Sequence, residues 1–465
     1  MRLAIRDKLT HALNGWVSRK FNSVLCSSPF SWTKVQKMIT PPSETPKQAS
    51  IGRLFAVGID VGCEKCSISV LRPDKTVVIK PLEFTNDAQG YAFVLTKLES
   101  LGVIPAQITI GLEATGRYWE NLYHYLARLG YNLILLHPVQ THQFAQRRGL
   151  RAKTDALDAG TIARVVLSDE ARPAYVPGDL VATYRELVRL HSNLADEIGR
   201  YRNEIHALLF VIFPEYTQVF ADPCRPTALS LLKLYPSRQA IAEVPIGILS
   251  AKLIELSNGH YGLKTAERLL TLSKKSASSG LASNARAQGL VILCDQLLHT
   301  QANLEILESE IAQLLQKDEA AKKLAEIPEF GPKTIAGLRA ELGEVGRFTN
   351  CNQVVAYAGL DLTVKESGKW KGKVKLSKRG SGRLRRLLYM AALVSLRLKV
   401  SAFGDYYREL RKRGMNGRSA LMAVMRKMLI TAYSLLKNDS TFDPKKVWIG
   451  AKFVAKELPL VAQVA

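Results

Sequence analysis

Residues 54–136 carry an order of strand and helix signals that constrains the fold more than any other part of the chain. Three short apolar runs predict consecutive strands, at 54–61, 67–71 and 76–84. Helix and strand signals then alternate, with helices at 88–101 and 118–129 and strands at 107–112 and 131–136. A meander followed by alternating helices and strands predicts an α/β domain with a mixed sheet.

Two groups of folds share this order of elements, the RNase H-like (RuvC-like) sheet and the ATPases of the hexokinase and actin kind. Four carboxylates favour the first. Asp60 lies in the first strand, Glu113 closes the fourth, and Asp155 and Asp158 are spaced for one face of a helix. Clustered acids need cations to neutralise them, and Mg²⁺ or Mn²⁺ prefers such oxygen ligands. The set predicts a two-metal site for phosphodiester chemistry, although each acid alone also fits a turn or a helix cap.

The positive charge is concentrated towards the C-terminal end. The formal net charge is +24, and residues 365–427 contain 19 lysines and arginines against three acids. An excess placed in this way indicates a polyanionic partner such as nucleic acid rather than a generally basic surface. The sequence contains neither an uncharged apolar run of membrane-spanning length nor a secretory signal, so we expect a cytoplasmic protein without a membrane partner.

The six cysteines predict neither a disulfide framework nor a structural zinc site. Only Cys63 and Cys66 are close in sequence, and a second pair of ligands at zinc spacing does not accompany them. We interpret these two cysteines as incidental residues of a strand.

Composition divides the chain into five segments: a leader at 1–52, an α/β domain at 53–178, a hairpin at 179–325, a C-terminal domain at 326–445 and a tail at 446–465. The leader ends in a proline-rich linker and is expected to be poorly ordered. Helical spacing of apolar residues at 180–210 and 291–324 predicts an α-helical coiled-coil hairpin, with a mostly helical insertion at 214–290. The C-terminal domain is predicted to be basic and mostly helical.

Several motifs resemble those of a known family. Three blocks, at 58–61, 113–118 and 153–159, are similar to the motifs of the DEDD transposases of bacterial insertion sequences, which are relatives of the Piv-type DNA invertases. Five further blocks, at 327–334, 356–360, 366–368, 376–380 and 384–392, resemble the second domain of that family. Both halves of the family pattern therefore occur here in the expected order.

The resemblance implies a composite site. Enzymes of this family combine the RuvC-like carboxylate cluster with a nucleophilic serine in the C-terminal domain, and Ser367 matches that serine. A serine that attacks a DNA phosphate conserves the bond energy in a phosphoserine link, which a DNA hydroxyl later reverses. By its local sequence alone Ser367 also fits an ordinary turn, and Ser377 and Ser381 are alternative candidates.

Basic residues around Ser367 predict a nucleic-acid contact surface. Cations that alternate with Trp370 and aliphatic residues suit phosphate contact and base stacking, although a solvated charged hairpin is the alternative. The residues are Lys365, Lys369, Lys371, Lys373, Lys375, Lys378, Arg379, Arg383, Arg385 and Arg386. Nearby, 328–334 resembles a helix-hairpin-helix turn, but Glu329 replaces its first glycine and favours a structural corner.

These observations predict an insertion-sequence transposase or recombinase that cuts and rejoins DNA. The resemblance further implies a guide RNA transcribed from the flank of the element, and a dimer or tetramer assembled through the hairpin. Three alternatives stay open: a Holliday-junction-resolvase-like endonuclease that uses metal-activated water, a sugar-kinase-like or actin-like ATPase, and a non-catalytic nucleic-acid-binding protein.

Overall fold

The computed structural model describes residues 54–147, 155–168, 171–363, 366–367, 370–371 and 375–447. They form two compact units, whose boundary in sequence lies between Tyr175 and Val176. The first unit contains a mixed sheet with helices, and the described part of the second is helical apart from two pairs of very short strands. The predicted succession of an α/β domain and helical segments is confirmed at this level.

The sheet of the first unit has the strand order β3-β2-β1-β4-β5. The strands are β1 Phe55–Val61, β2 Lys65–Leu71, β3 Val77–Thr85, β4 Ile108–Glu113 and β5 Asn132–Leu136. β2 pairs antiparallel with both β1 and β3, whereas β4 pairs parallel with β1 and β5 pairs parallel with β4. All five predicted strands are present, and each bound lies within two residues of the prediction.

Helices cover this sheet. In the described part of the first unit they are α1 Ala88–Glu99, α2 Trp119–Arg128, α3 Pro138–Arg147 and α4 Asp155–Val166, with a 3-10 turn at Pro105–Gln107. α4 lies directly on β1, because a Cβ placed on Gly58 would stand 2.0 Å from the carbonyl oxygen of Ala159 and 2.4 Å from the backbone nitrogen of Ala163. Only glycine permits such an approach, so Gly58 sets how closely α4 packs on the strand.

The second unit begins with the predicted hairpin. Its arms are α5 Asp179–Ile212 and α10 Ser283–Lys317. Tyr184 and Ile311 share one hydrophobic cluster, and Leu209 and Leu290 share another, so the arms run antiparallel. The second arm is shifted relative to the prediction of 291–324, because it begins eight residues earlier, at Ser283, and ends seven residues earlier, at Lys317. Asp318 leaves the helical conformation and caps a separate helix, α11 Glu319–Ala325, by accepting a hydrogen bond from the Ala320 amide.

The segment between the arms is mostly helical, as predicted. It contains α6 Pro226–Leu234, α7 Arg238–Ala242, α8 Ile246–Ser257 and α9 Leu263–Lys274, preceded by a 3-10 turn at Pro214–Gln218. Their apolar faces enclose Tyr216 and Phe220 together with the ends of both arms. The segment therefore shares one hydrophobic core with the arms that it connects.

The C-terminal part packs around one long helix. Its elements are α12 Pro332–Leu342, a 3-10 turn at Val345–Arg347, α13 Cys351–Tyr357, α14 Gly382–Arg397, α15 Ala402–Lys412, α16 Gly417–Lys437 and α17 Pro444–Val447. α16 contributes eight buried residues, including Val424 and Met428, to a core shared with α12 to α15. By length and composition α16 could also cross a membrane, but half of its most apolar window is buried in this core.

Two small antiparallel ribbons lie between α13 and α14. In one, β6 Leu362–Thr363 pairs with β9 Lys375–Leu376, and in the other, β7 Glu366–Ser367 pairs with β8 Trp370–Lys371. The second ribbon, β7–β8, lies in sequence between the two strands of the first ribbon, β6 and β9.

Candidate functional site

Asp60 and Glu113 lie at the carboxyl ends of neighbouring strands. β1 and β4 pair in parallel as far as Ile59 and Leu112, so the two acids occupy the next position of each strand. Both side chains are half-buried. Parallel pairing therefore brings to one edge of the sheet two acids that are far apart in sequence.

The same two acids belong to the sheet face that α4 covers. Side chains alternate across a strand, so Asp60 shares a face with Gly58, and Glu113 shares a face with Gly111. A Cβ on Gly58 would meet the backbone of α4, and one on Gly111 would stand 2.4 Å from the side chain of Val166 in α4. Asp60 and Glu113 thus share both an edge and a face.

α4 runs opposite to β1. Ala56, near the start of β1, packs in a cluster with Val166 in the last turn of α4, whereas Gly58, further along the strand, meets Ala159. The first turn of the helix therefore lies towards the carboxyl edge of the sheet, where β1 and β4 end.

That first turn carries Asp155 and Asp158. Helical spacing places them on the side of Ala159 and Ile162, which are fully buried against the sheet. Asp158 is half-buried, and Asp155 is described by its backbone alone, as the first residue of α4. The fold brings the positions of all four predicted acids to one edge of the sheet.

The carboxylate of Glu113 is held by two hydroxyl groups. Thr141 Oγ1 lies 2.6 Å from Glu113 Oε2, and Thr115 Oγ1 lies 3.3 Å from Oε1. Thr141 is buried in α3, where its hydroxyl oxygen also lies 2.9 Å from the Pro138 carbonyl oxygen. Sequence reasoning missed Thr141, because a threonine in an amphipathic helix gives no signal of the strand end that it contacts.

The oxygen donors at this edge suit a hard divalent cation. Carboxylates from β1, β4 and α4 are the donor type that Mg²⁺ and Mn²⁺ take, whereas zinc sites are usually built with histidine or cysteine. Three half-buried acids on adjacent elements also give this edge a concentration of negative charge, which favours a bound cation. The residues present therefore fit the metal that the sequence predicts.

A different set of potential ligands lies in the second unit. Ligand atoms of His206, Asp222 and Cys224 stand within 4.8 Å of one another. Burial would raise the pKa of the Asp222 carboxyl, but hydrogen bonds from the Cys224 amide and from Arg202, which lies 2.9 Å away, lower it. Burial raises the pKa of the Cys224 thiol to about 11. A carboxylate that is already ion-paired and a thiol that stays protonated suit a structural contact better than they suit a metal site.

Of the two closely spaced cysteines, Cys66 is a strand residue, as interpreted from the sequence, whereas Cys63 lies outside the strands. Cys66 is buried in β2, and burial raises the pKa of its thiol to about 11, while Cys63 is exposed in the turn between β1 and β2. A buried thiol of high pKa is a poor nucleophile, which agrees with an incidental role.

Ser367 lies at the end of β7, opposite Trp370 of β8. The structure describes the backbone of this ribbon and not the side chain of Ser367. At the base of the segment, the hydroxyl of Ser377 donates to the Asp361 carboxylate, and the Ser377 amide donates to the Asp361 carbonyl at 2.9 Å. These bonds reinforce the β6–β9 pair that closes the segment carrying Ser367.

The alternative serines both have structural partners. Ser377 is bonded to Asp361, as described above. Ser381 caps α14 by accepting from the Leu384 amide at 3.1 Å, and its hydroxyl lies 2.6 Å from Glu341 Oε2. Their hydroxyl groups stabilise the turn before α14.

Three of the predicted nucleic-acid-binding arginines differ in environment. Arg385 is half-buried and donates to the carbonyl groups of Ala358 at 2.9 Å and Gly380 at 3.1 Å. Arg386 forms an exposed ion pair with Asp196 at 3.0 Å, and Arg383 is exposed. Arg385 thus supports the turn before α14, a role that the sequence did not predict.

The structure describes some of the other predicted basic residues fully, some by their backbone alone, and some not at all. Lys378 and Arg379 are exposed in the turn before α14. Lys371 and Lys375 are described by their backbone, in β8 and β9, and Lys365, Lys369 and Lys373 lie outside the described residues. Their contact with nucleic acid stays a prediction.

Glu329 is a buried corner residue. It is 3% exposed and accepts a hydrogen bond from the Ser401 hydroxyl at 2.5 Å, and Ser401 in turn caps α15 by accepting from the Gly404 amide. Burial raises the pKa of the Glu329 carboxyl. The buried side chain agrees with the structural corner favoured by the sequence.

Comparisons with known proteins match both halves of the chain. Residues 57–214 match a DEDD family of the IS110 type described as Transposase, and residues 321–408 match a family described as Transposase IS116/IS110/IS902 family.

Individual relatives extend across most of the chain. The pilin gene-inverting protein of Moraxella bovis is 23% identical over 372 residues, which cover 78% of this chain and 90% of the relative. The insertion element IS116 uncharacterized 44.8 kDa protein of Streptomyces clavuligerus is 24% identical over 398 residues, or 83% and 96% of the two chains. The insertion element IS900 uncharacterized 42 kDa protein of Mycobacterium paratuberculosis is 24% identical over 307 residues, or 65% and 76%.

Proposed function

The chain belongs to the IS116/IS110/IS902 family of transposases, and on that premise we propose that it cuts and rejoins DNA with two sets of groups. The first set is the carboxylates Asp60, Glu113, Asp155 and Asp158, which hold divalent cations. The second is the hydroxyl of Ser367, which acts as the nucleophile. The observation that carries the proposal is the convergence of β1, β4 and the first turn of α4 at one edge of the sheet.

The strand arrangement supports an RNase H-like fold for the first unit. The order β3-β2-β1-β4-β5 combines an antiparallel meander with two parallel strands, and acids follow the adjacent parallel strands β1 and β4. In such a fold these strand ends form the site of phosphodiester chemistry.

Within this site the side chains hold the cation and orient one another. Asp60 and Glu113 supply oxygen ligands from rigid strands, and Thr141 keeps the Glu113 carboxylate in one orientation. When bound, Mg²⁺ or Mn²⁺ supplies positive charge that activates the attacking oxygen and stabilises the leaving oxygen at the phosphate.

The serine step exchanges one phosphate ester for another. The Ser367 oxygen forms a bond to the scissile phosphorus while the bond from phosphorus to a DNA oxygen breaks, and the released DNA oxygen takes up a proton. A DNA hydroxyl then attacks the phosphoserine, which restores a DNA phosphodiester and returns a proton to the serine. Cations on Lys378, Arg379 and Arg383 support the proposal, since they are exposed close in sequence to the Ser367 ribbon.

The partners proposed are the DNA of the element ends and its target, a guide RNA, and further copies of this chain. The concentrated positive charge suits DNA and RNA alike, because phosphate contacts carry little sequence or sugar information. We place assembly into a dimer or tetramer on the long hairpin of α5 and α10. A cytoplasmic location follows from a DNA substrate.

The decisive experiment measures strand cleavage and covalent capture of DNA by the purified chain with Mg²⁺. The substrate is DNA from the element flanks, with and without RNA transcribed from the same flank. We expect a protein-DNA adduct that disappears in both Asp60→Ala and Ser367→Ala. Asp74→Ala, which removes an exposed acid in the turn before β3, is the matched control and should keep the adduct.

Other outcomes select the alternatives. Cleavage that survives Ser367→Ala but not Asp60→Ala means a resolvase-like nuclease with metal-activated water. Adduct loss in Ser377→Ala or Ser381→Ala, but not in Ser367→Ala, moves the nucleophile to that serine. Cleavage that survives Asp60→Ala, Glu113→Gln and Asp158→Asn contradicts the carboxylate site, and ATP turnover sensitive to Asp60→Ala favours the ATPase reading.

A further inference from the structure

Asn86 follows β3 and connects two loops by hydrogen bonds. The backbone pairing of the strands does not extend into these loops. Its Nδ2 donates to the Gly62 carbonyl at 2.9 Å and to the Tyr118 carbonyl at 3.2 Å, and its Oδ1 accepts from the Tyr91 hydroxyl at 2.6 Å. Its backbone amide donates to the Glu64 carbonyl at 2.9 Å. The half-buried amide therefore has partners for both of its N–H groups and for its oxygen.

The two loops are those that follow Asp60 and Glu113. Gly62 comes two residues after Asp60, and Tyr118 comes five residues after Glu113. The parallel ladder between β1 and β4 ends one residue before each acid. Asn86 thus connects the two chains just beyond the point where backbone hydrogen bonds stop holding them together.

The orientation of the Asn86 amide is determined by its surroundings. A rotation by 180° would direct its oxygen at the two carbonyl oxygens of Gly62 and Tyr118 and lose both hydrogen bonds. Tyr91, which supplies the third bond, is buried, and its ring centroid lies 5.5 Å from that of Tyr125. The bridge is therefore built on a packed side chain rather than on a mobile one.

From this geometry we propose that Asn86 is a positioning residue for the divalent-cation site. It fixes the separation of the chain segments that carry Asp60 and Glu113. Both carboxylates can then bind one cation without the entropy loss of ordering two free loops. This proposal rests on the proposed function of the two acids. It adds a residue outside the family motifs, contributed by the end of β3.

The test measures Mn²⁺ affinity of the full chain by EPR titration of free Mn²⁺, without nucleic acid. Partners that orient metal ligands typically contribute tenfold to a hundredfold in affinity, so Asn86→Ala should weaken Mn²⁺ binding by about tenfold or more. Single-turnover cleavage should slow by a similar factor, whereas the DNA concentration for half-maximal cleavage stays unchanged, because Asn86 does not contact DNA in this scheme.

Asn132→Ala is the matched control. Asn132 Nδ2 donates to the Ala106 carbonyl at 2.6 Å, so it is another asparagine bridge in the same unit, but it lies at the amino end of β5, the opposite edge of the sheet. We expect this variant to lose comparable stability and to bind Mn²⁺ like the wild type. Tyr91→Phe, which keeps the two donor bonds of Asn86 and removes the third, should weaken Mn²⁺ binding in the same direction by a smaller factor.

The outcomes separate this proposal from the one it rests on. Wild-type Mn²⁺ affinity in Asn86→Ala, in a chain whose affinity falls in Asp60→Ala, overturns the positioning role alone. Mn²⁺ affinity and cleavage that are unchanged in Asp60→Ala overturn the carboxylate site and the positioning role together. If Asn86→Ala does not fold, Tyr91→Phe decides, and wild-type Mn²⁺ affinity in that variant contradicts the proposal.

Discussion

Thr141 Oγ1 lies 2.6 Å from Glu113 Oε2, so a buried hydroxyl on α3 orients the carboxylate at the end of β4. Partners of this kind contribute roughly tenfold to a hundredfold to metal affinity or activity. We expect Thr141→Val to lower Mg²⁺-dependent strand cleavage by that factor in a single-turnover assay. Thr141→Ser keeps the hydroxyl and should cleave at nearly the wild-type rate. Equal rates for the valine and serine variants would show that Glu113 needs no such restraint.

Gly58 allows α4 to lie directly on β1, because it has no side chain between the strand and the helix. An alanine there would place its Cβ 2.0 Å from a backbone oxygen of α4, so either the helix or the strand must move. Such overpacking typically costs about 1–3 kcal/mol. We therefore expect Gly58→Ala to lower the free energy of unfolding of the first unit by at least about 1 kcal/mol. Urea unfolding measures it. Gly160→Ala in the same helix meets only the end of the Arg164 side chain, at 3.8 Å, and should stabilise by about 0.5–1 kcal/mol.

Arg383 and Arg385 are two residues apart but should behave differently. Arg383 is exposed, so Arg383→Ala should weaken nucleic-acid binding and reduce the slope of log affinity against log salt by about one, with unchanged stability. Arg385 donates to two backbone carbonyl groups, so Arg385→Ala should lower stability by about 1–3 kcal/mol by leaving them unpaired. Fluorescence anisotropy over a salt series and urea unfolding distinguish the two. A full salt-slope change in Arg385→Ala, without loss of stability, would contradict this assignment.

Asp318 and Arg339 form an ion pair that is largely removed from solvent. The contact is 2.6 Å, and the side chains are only 5% and 11% exposed. Removing one partner of a buried pair typically costs about 3–5 kcal/mol, since the remaining charge is left without compensation, and we expect Arg339→Met to destabilise the second unit in that range. Glu319→Gln breaks an exposed pair with Lys322 nearby and should cost less than about 1 kcal/mol. Thermal and urea unfolding compare them.

Glu329 should make the stability of the second unit depend on pH. Burial raises the pKa of this carboxyl, so over a range of pH the folded chain keeps a proton that the unfolded chain has lost. The free energy of unfolding then falls as pH rises from the ordinary glutamate pKa, about 4.3, through the raised value in the folded chain. Glu329→Gln removes this titration and can still accept the Ser401 hydrogen bond. We expect the variant to gain stability relative to the wild type between pH 4 and pH 7, and an equal difference at both pH values would contradict the assignment.

Much of the first unit could be predicted because strand and helix signals are local. β1 to β5 follow from short apolar runs bounded by turns, and their order restricted the sheet to two groups of folds. The arms of the hairpin followed from helical spacing in the same way. The end of the second arm did not. Asp318, at the break, is held by an ion pair with Arg339, and such a contact exists only in the folded chain.

Four carboxylates, one serine and a concentration of positive charge are properties of the sequence, and they were sufficient to indicate DNA chemistry. What a carboxylate touches is decided by packing. Thr141 reaches Glu113 across 28 residues, and Asn86 reaches Tyr118 across 32. The register of β1 with β4 and the close approach at Gly58 bring these groups together. Hydrogen bonds between distant segments leave no periodic pattern in a sequence, so only the tertiary structure could reveal Thr141 and Asn86 as supports of the site and Arg385 as a support of the turn before α14.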